Sequence, residues 1–426
     1  MKKMISPVIL VILSLMLFSL FGCAKPVIEQ NQTKVCTPDW QCMDWSNCSS
    51  DGNQIRICAD VDNCSNATGK PAESQSCIPS IKNNTIPSNS SNASSINAST
   101  NASNASSYVS TMQRGTVDPN LGVSVYNPDK AWNGLTLLSD IHDPQKTRLI
   151  EVNMLGEIVW EYVFPASLTN YRNPGLDVES LSNGNILFVA PLKGVYEINR
   201  NGTIVWSYLD SKVSHDADRL SNGNTLVAWG GVDSMNDAQV KEINPQGQVV
   251  WSWYAKDHFN TPQYKSISRE GWTHTNAVTR LANGNTLISL RNFQLTVEVN
   301  PQGQVVWSFD WSKFGTNPDP HDPELLSNNN LLACLPSPAA TYQAVEINRT
   351  NGETVWHYLN SSLISSRDCD RLPNGNTLVV TMVSSKHEST ILEVTSDGEI
   401  VWQLDLNNAP AIASPGWFYT AERIAG

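Results

Sequence analysis

At 426 residues the chain is long for one domain, and its uneven composition points to a large core domain preceded by smaller N-terminal pieces. The formal net charge is −12 and the Lys and Arg residues are scattered, so no basic stripe exists to track a nucleic acid. Lys2 and Lys3 precede an apolar run at 5–21 that ends in Leu20-Phe21-Gly22-Cys23, the order of an export signal over residues 1–22. Leu20 and Gly22 ahead of Cys23 resemble a lipobox, where the thiol is acylated and becomes the new N-terminus. The run is short for an uncleaved span, the alternative. On either reading the protein is expected to be exported and membrane-anchored, at the outer cell surface or in the periplasm.

Six of the nine cysteines, Cys36, Cys42, Cys48, Cys58, Cys64 and Cys77, crowd into the module 24–78. An even count in an exported stretch with little core points to three disulfides, and no paired C-x-x-C knuckles favour zinc instead. Trp40, Trp45, Arg56 and the run from Cys48 to Cys58 resemble a thrombospondin type 1 repeat. That family stacks tryptophan on arginine, and the resemblance implies a carbohydrate or protein contact for the module. Residues 79–117 are rich in Ser, Asn and Thr and cannot offset their conformational entropy by burial, which predicts a disordered linker. Sequons at Asn83, Asn89, Asn92, Asn97, Asn101 and Asn104 make it a glycosylated spacer or a bare one, according to host.

From residue 118 to 426 one unit recurs six times: an Asn-Gly turn, an alternating strand, a second strand ending in E-[VI]-N, a turn and a tryptophan. The tryptophans Trp160, Trp206, Trp251, Trp307, Trp356 and Trp402 are spaced 46, 45, 56, 49 and 46. Such a period, with short strands and tight-turn signals, predicts an all-β, six-bladed β-propeller. A further strand precedes five of the turns, at 176–181, 215–220, 276–281, 321–326 and 367–372. The first turn lacks a good copy. The C-terminal segment Tyr419-Thr420-Ala421-Glu422-Arg423-Ile424 aligns with His215-Asp216-Ala217-Asp218-Arg219-Leu220, so the chain end is expected to supply the missing strand and close the ring.

Stations seven residues before each turn occupy equivalent places and should converge on the axis: Leu176, His215, Asn276, His321, Arg367 and, by alignment, Tyr419. His274 lies two residues before Asn276, on the same strand face. Three histidines from different blades thus meet at one mouth, with Arg291 near enough to give an always-charged fork for an anionic oxygen cluster. Asp216, Asp322 and Asp368 follow three stations and read as supports; His142, His258, His357 and His387 read as peripheral. The long interval before Trp307 carries Trp253, Tyr254, Phe259, Tyr264 and Trp272, an aromatic loop that either covers the mouth and binds a ring or is simply an elongated surface connection. Cys334 and Cys369 fall in adjacent blades, which leaves an oxidised pair open.

The segment Trp272-Thr273-His274-Thr275-Asn276, followed by Arg291, with His215 one blade earlier and His321 one blade later, resembles the exported arylsulfotransferase family that works without the nucleotide donor PAPS. The resemblance spans most of 120–426. It implies a six-bladed propeller without cofactor, in which His321 attacks an aryl sulfate, forms a sulfohistidine and passes the group to a phenol. His215, His274, Asn276 and Arg291 would hold the sulfuryl oxygens, with Arg367 and Tyr419 as further substrate contacts. Two other readings stay open: a non-catalytic surface propeller that binds carbohydrate or protein, and a metal site built on His215, His274 and His321. The G-x-x-x-W turns also resemble quinone-dependent dehydrogenase propellers, but their longer docking motif and eight blades are absent.

Overall fold

The computed structural model describes residues 112–143, 145–168, 176–385, 388–407 and 418–425, with short pieces at 40–42, 53–55, 58–60, 71–72 and 74–76. The chain divides into two compact units, Met1–Ile96 and Asn97–Gly426. In the first unit, strand Trp40–Cys42 pairs antiparallel with Cys58–Asp60, and Asn53–Ile55 with Ser74–Ser76. The export signal, Cys23, the proposed disulfides, the Trp–Arg stacking and the linker sequons lie outside the described residues.

The second unit is a six-bladed β-propeller of antiparallel sheets. Blade 2 runs Val178–Ser180, Ile186–Ala190, Gly194–Ile198, Ile204–Leu209, and blades 3 to 5 repeat that order from Ala217–Arg219, Thr275–Arg280 and His321–Leu325. Blade 6 begins at Leu363–Arg371. Blade 1 takes its inner strand from the chain end: Phe418–Ala425 pairs with Gly134–Asp140, the closure expected from the alignment. A second fastening lies outside. Strand Leu121–Tyr126 adds to the outer edge of blade 6, and Thr116 bridges Ile158 of blade 1, so one segment straps the seam where the ring closes. Six hydrophobic clusters fill the six seams between blades, and burial of these inward faces is the main stabilising term.

The repeated residues have one physical explanation. In each Asn-Gly-Asn turn the glycine takes a left-handed φ, as at Gly184 (83°) and Gly375 (89°), and in the Asn328-Asn329-Asn330 turn Asn329 takes it at 65°. The two flanking asparagines donate to the glutamate of E-[VI]-N: Asn222 and Asn224 to Glu242, Asn283 and Asn285 to Glu298, Asn374 and Asn376 to Glu393. That glutamate also pairs with an arginine stacked on the blade tryptophan, as Arg280 does with Glu242 over Trp251. Each indole N–H then donates to a carbonyl of the next blade, from Trp160 to Arg200 (2.9 Å) round to Trp402 and Met154 (3.0 Å). The motif therefore joins a hairpin tip to the neighbouring blade.

Near the axis, carboxylates make the same kind of joint. Asp177 accepts from the Ala217 N–H, Asp216 from Val278, Asp322 from Cys369 and Asp368 from Ala421, each reaching the next inner strand. The aspartates expected to support the histidines instead support the ring. Cys334 and Cys369 are disulfide-bonded, with Cα atoms 5.8 Å apart, linking blades 5 and 6.

Candidate functional site

Blades 3, 4, 5 and 6 each deliver one element to the same mouth. His215 precedes the inner strand of blade 3 and His274 that of blade 4, and their Nε2 atoms lie 3.0 Å apart with rings edge to face. Tyr419 presents its ring edge-on to His215, centroids 5.8 Å apart. Arg291 opens a short 3-10 turn after strand Thr286–Leu290, and its Nη1 is 2.9 Å from His274 Nε2 and 2.9 Å from the Glu270 carboxylate. Leu176, the blade 2 station, is wholly buried in the seam with blade 1 and takes no part.

Hydrogen bonding fixes the tautomers. His274 Nδ1 is 2.6 Å from the Glu270 carbonyl, an obligate acceptor, so Nδ1 carries the proton and Nε2 a lone pair. By the same reasoning His321 Nδ1 donates to the Asp319 carbonyl at 2.8 Å. His321 Nε2 is then an unprotonated, buried nitrogen, and no hydrogen-bond partner meets it. The His321 residue lines a cavity of about 470 Å³ together with Arg269, Arg291, Arg367, Asp319, Thr316, Asn317, Ser365 and the segment Pro336, Ser337, Pro338, Ala339.

Electrostatics keeps the imidazoles neutral. Burial, followed by Arg367 and Arg291, holds His321 well below the ordinary histidine range. Burial with Arg291 does the same for His274, and burial with His274 and Arg291 for His215. The Arg367 guanidinium is itself drawn down to about 10, by burial. A cation between three imidazoles would have to displace Arg291 from His274, which argues against the metal reading.

Residues that sequence reasoning missed hold the others in place. Asp319 binds Arg269 through both carboxylate oxygens, accepts from Gln294 Nε2 at 3.0 Å, and reaches Arg291 Nη2 at 3.6 Å. Asn276 is tied to the next blade: its amide nitrogen donates to the Pro320 carbonyl at 2.9 Å, beside Ser289 Oγ at 3.0 Å, steadying the residue before His321. Among the described residues ten non-glycines have positive φ, and seven sit at or beside this mouth: His215, Glu270, His274, Asn317, Asp319, Asp322 and Ser365. Such strain persists only where neighbours over-determine the backbone.

The aromatic loop corrects an expectation. Phe259, Tyr264, Phe293 and Trp272 pack on one another, centroids 4.6 to 5.5 Å apart, and bring Arg269 and Glu270 to the mouth instead of a ring-binding face. Aromatic burial against the blade is worth more than exposure at a rim. His142 contacts Asp140, His258 stacks on Trp253 and His357 on Tyr342, all away from the cavity; His387 lies outside the described residues.

Among solved structures the chain is similar to a protein of unknown function from Bacteroides caccae, at 20% identity, covering 68% of this chain and 98% of that one with a TM-score of 0.49. It is also similar to a catalytically inactive virginiamycin B lyase from Staphylococcus aureus (12% identity, 67% and 99% covered, TM-score 0.41) and to BamB from Moraxella catarrhalis (14%, 68% and 94%, 0.36). No curated protein matches it. Residues 123–352, more than half of the chain, match the family model Arylsulfotransferase (ASST), and the chain belongs to that family.

Proposed function

We propose that this protein moves a sulfuryl group from an aryl sulfate to a phenol through a sulfohistidine at His321, and that it does so outside the cell, tethered to a membrane by a lipid on Cys23. One observation carries the chemistry: a buried imidazole whose Nδ1 is held by a backbone carbonyl, leaving an unpartnered lone pair on Nε2, in a residue that lines a cavity with three arginines. Charge on the sulfuryl oxygens makes positioning and cationic donors the main requirement. Arg291 and Arg367 supply them, and Asn276 steadies the chain at Pro320.

In the first half-reaction the Nε2 lone pair attacks sulfur, the sulfur–aryloxide bond breaks, and its electron pair leaves on the aryloxide. The Asp319 carbonyl then faces the Nδ1–H of a ring that has become cationic. In the second half the acceptor's phenolic oxygen attacks sulfur, the nitrogen–sulfur bond breaks and His321 returns to neutrality. The acceptor's proton ends on the first aryloxide by way of solvent.

A covalent intermediate gives a direct test. Intact-mass analysis after brief exposure to p-nitrophenyl sulfate should show a sulfonate adduct that maps to His321 and is absent from His321→Ala. A surface propeller that only binds carbohydrate or protein releases no nitrophenol and gains no mass, which would overturn the enzymatic reading.

A further inference from the structure

The histidine pair is held by a turn with no counterpart in the repeat. After strand Thr225–Ala228 the chain runs through Gly230 and Gly231 to Asp233, whose N–H donates to the Gly230 carbonyl at 3.1 Å. The Asp233 carboxylate is buried and crosses the seam to blade 4. Its oxygens accept from three consecutive backbone N–H groups, of Trp272 (2.9 Å), Thr273 (3.0 Å) and His274 (3.2 Å), and from the Thr273 hydroxyl (2.8 Å) and Gln239 (3.2 Å). Three donors in a row form a concave anion nest, and Gly271 at φ 95°, with His274 at 50°, bends the chain to make it. A Cβ on Gly271 would collide with that carboxylate.

The other end of the turn touches the other histidine. A Cβ on Gly230 would drive into His215 Nδ1 and Ser214 Oγ, the pair that hydrogen-bond at 2.6 Å. His215 can sit where it does only because position 230 has no side chain.

We infer that the turn 230–233 is the positioning element of this site: Asp233 orients His274 and, through its Nε2, the Arg291 guanidinium, while the bare Gly230 seats His215. Its consequence for turnover rests on the sulfuryl-transfer reading; its structural part does not. Asp233 touches no reacting atom and acts only through His274. A carboxylate that merely closed the seam would need one or two donors and would leave Arg291 unaffected.

The test uses the whole chain labelled with 15N at histidine, titrated by NMR in wild type, Asp233→Asn and Gly230→Ala. In wild type His215 and His274 should stay neutral well below the ordinary value of about 6.5. Asp233→Asn puts N–H donors against the nest and should release His274 to titrate nearer that value; Gly230→Ala should do so for His215. The two variants act by different routes, a lost acceptor and an added methyl, so one that fails to fold leaves the other to decide. With p-nitrophenyl sulfate and phenol, kcat in Asp233→Asn should fall about tenfold to a hundredfold while the KM for donor changes little, the pattern of a misaimed transition-state donor. A folded variant in which the histidine titrations match wild type overturns the inference. Moved titrations with unchanged turnover overturn the link to Arg291. Wild type that forms no adduct defeats the sulfuryl reading alone, since the titrations are still read.

Discussion

His321 has its two nitrogens in opposite conditions, one tied to the Asp319 carbonyl and one without a hydrogen-bond partner, in a residue that lines a cavity with three arginines. All three imidazoles are held below the ordinary range by burial and nearby cations, so the resting site has no imidazolium to donate. Two outcomes follow from that. The first step should depend steeply on the leaving phenol: across a series of substituted aryl sulfates, sulfonation of His321 measured by the nitrophenol-type burst should fall strongly as the phenol becomes less acidic. The pH profile of kcat/KM should lack an acid limb at the usual histidine value. Arg367→Met removes the cation that ranks first after burial in depressing His321, so an acid limb should move upward toward about 6.5. An unchanged limb would show that Arg367 does not act on His321. The stations His215, His321 and Arg367 were legible because a repeat fixes their register. Asp233, Asp319 and Glu270 were not: they sit in irregular loops, their partners lie up to 50 residues away across a seam, and no repeated position marks them. An aromatic-rich loop likewise reads the same in sequence whether its rings pack inward or face a ligand.

At the level of the blade, the E-[VI]-N glutamate is the element's fixed point, and its surroundings decide its worth. Glu393 accepts from Asn376 (2.7 Å), from the Trp132 N–H (2.6 Å) and from Arg423 (3.0 Å), and neither member of the Arg423 pair is exposed. Arg423 comes from the closing strand and lies over Trp402, so this one cluster ties the chain's end to its outer seam. Replacing Glu393 with Ala removes the anion of a buried pair and the acceptor of several buried donors, and should cost about 3–5 kcal/mol, read by denaturant unfolding. The contrast is Lys130 with Glu399, both half exposed, where Glu399→Gln should change stability by less than about 1 kcal/mol. A similar loss in both would mean that the closing cluster is ordinary surface electrostatics. Sequence alone suggested the closure, through the alignment of the last strand with blade 3. The outer strap at 116–126 was not visible there, because a single edge strand outside the repeat has no register to compare.

Seen whole, the propeller gathers carboxylates around its axis with few cations among them. Asp177, Asp216, Asp218, Asp322, Asp368 and Asp370 all have their pKa raised, by burial first, and several by one another's charge. Carboxylate oxygens of Asp322, Asp368 and Asp370 lie within 4.8 Å of one another. Asp177 and Asp218 are pushed up to about 7, Glu324 to about 7 and Glu179 to about 8. An acid raised on folding binds more protons folded than unfolded between its two pKa values, so stability falls as pH climbs from about 4 through that window. The three depressed histidines work the other way, but only below about 6.5, the unfolded histidine value. Acids lowered by partners, such as Glu242 beside Asn224 and Arg280, matter only at still lower pH. Above pH 6.5 the axial acids act unopposed. The melting temperature should therefore decline between about pH 6.5 and 8.5, and Asp370→Asn, which removes one charge without touching the backbone joints made by Asp322 and Asp368, should flatten that decline and raise stability at the alkaline end. A melting temperature that holds or rises across that range would mean the ring of carboxylates is neutralised by something other than protons.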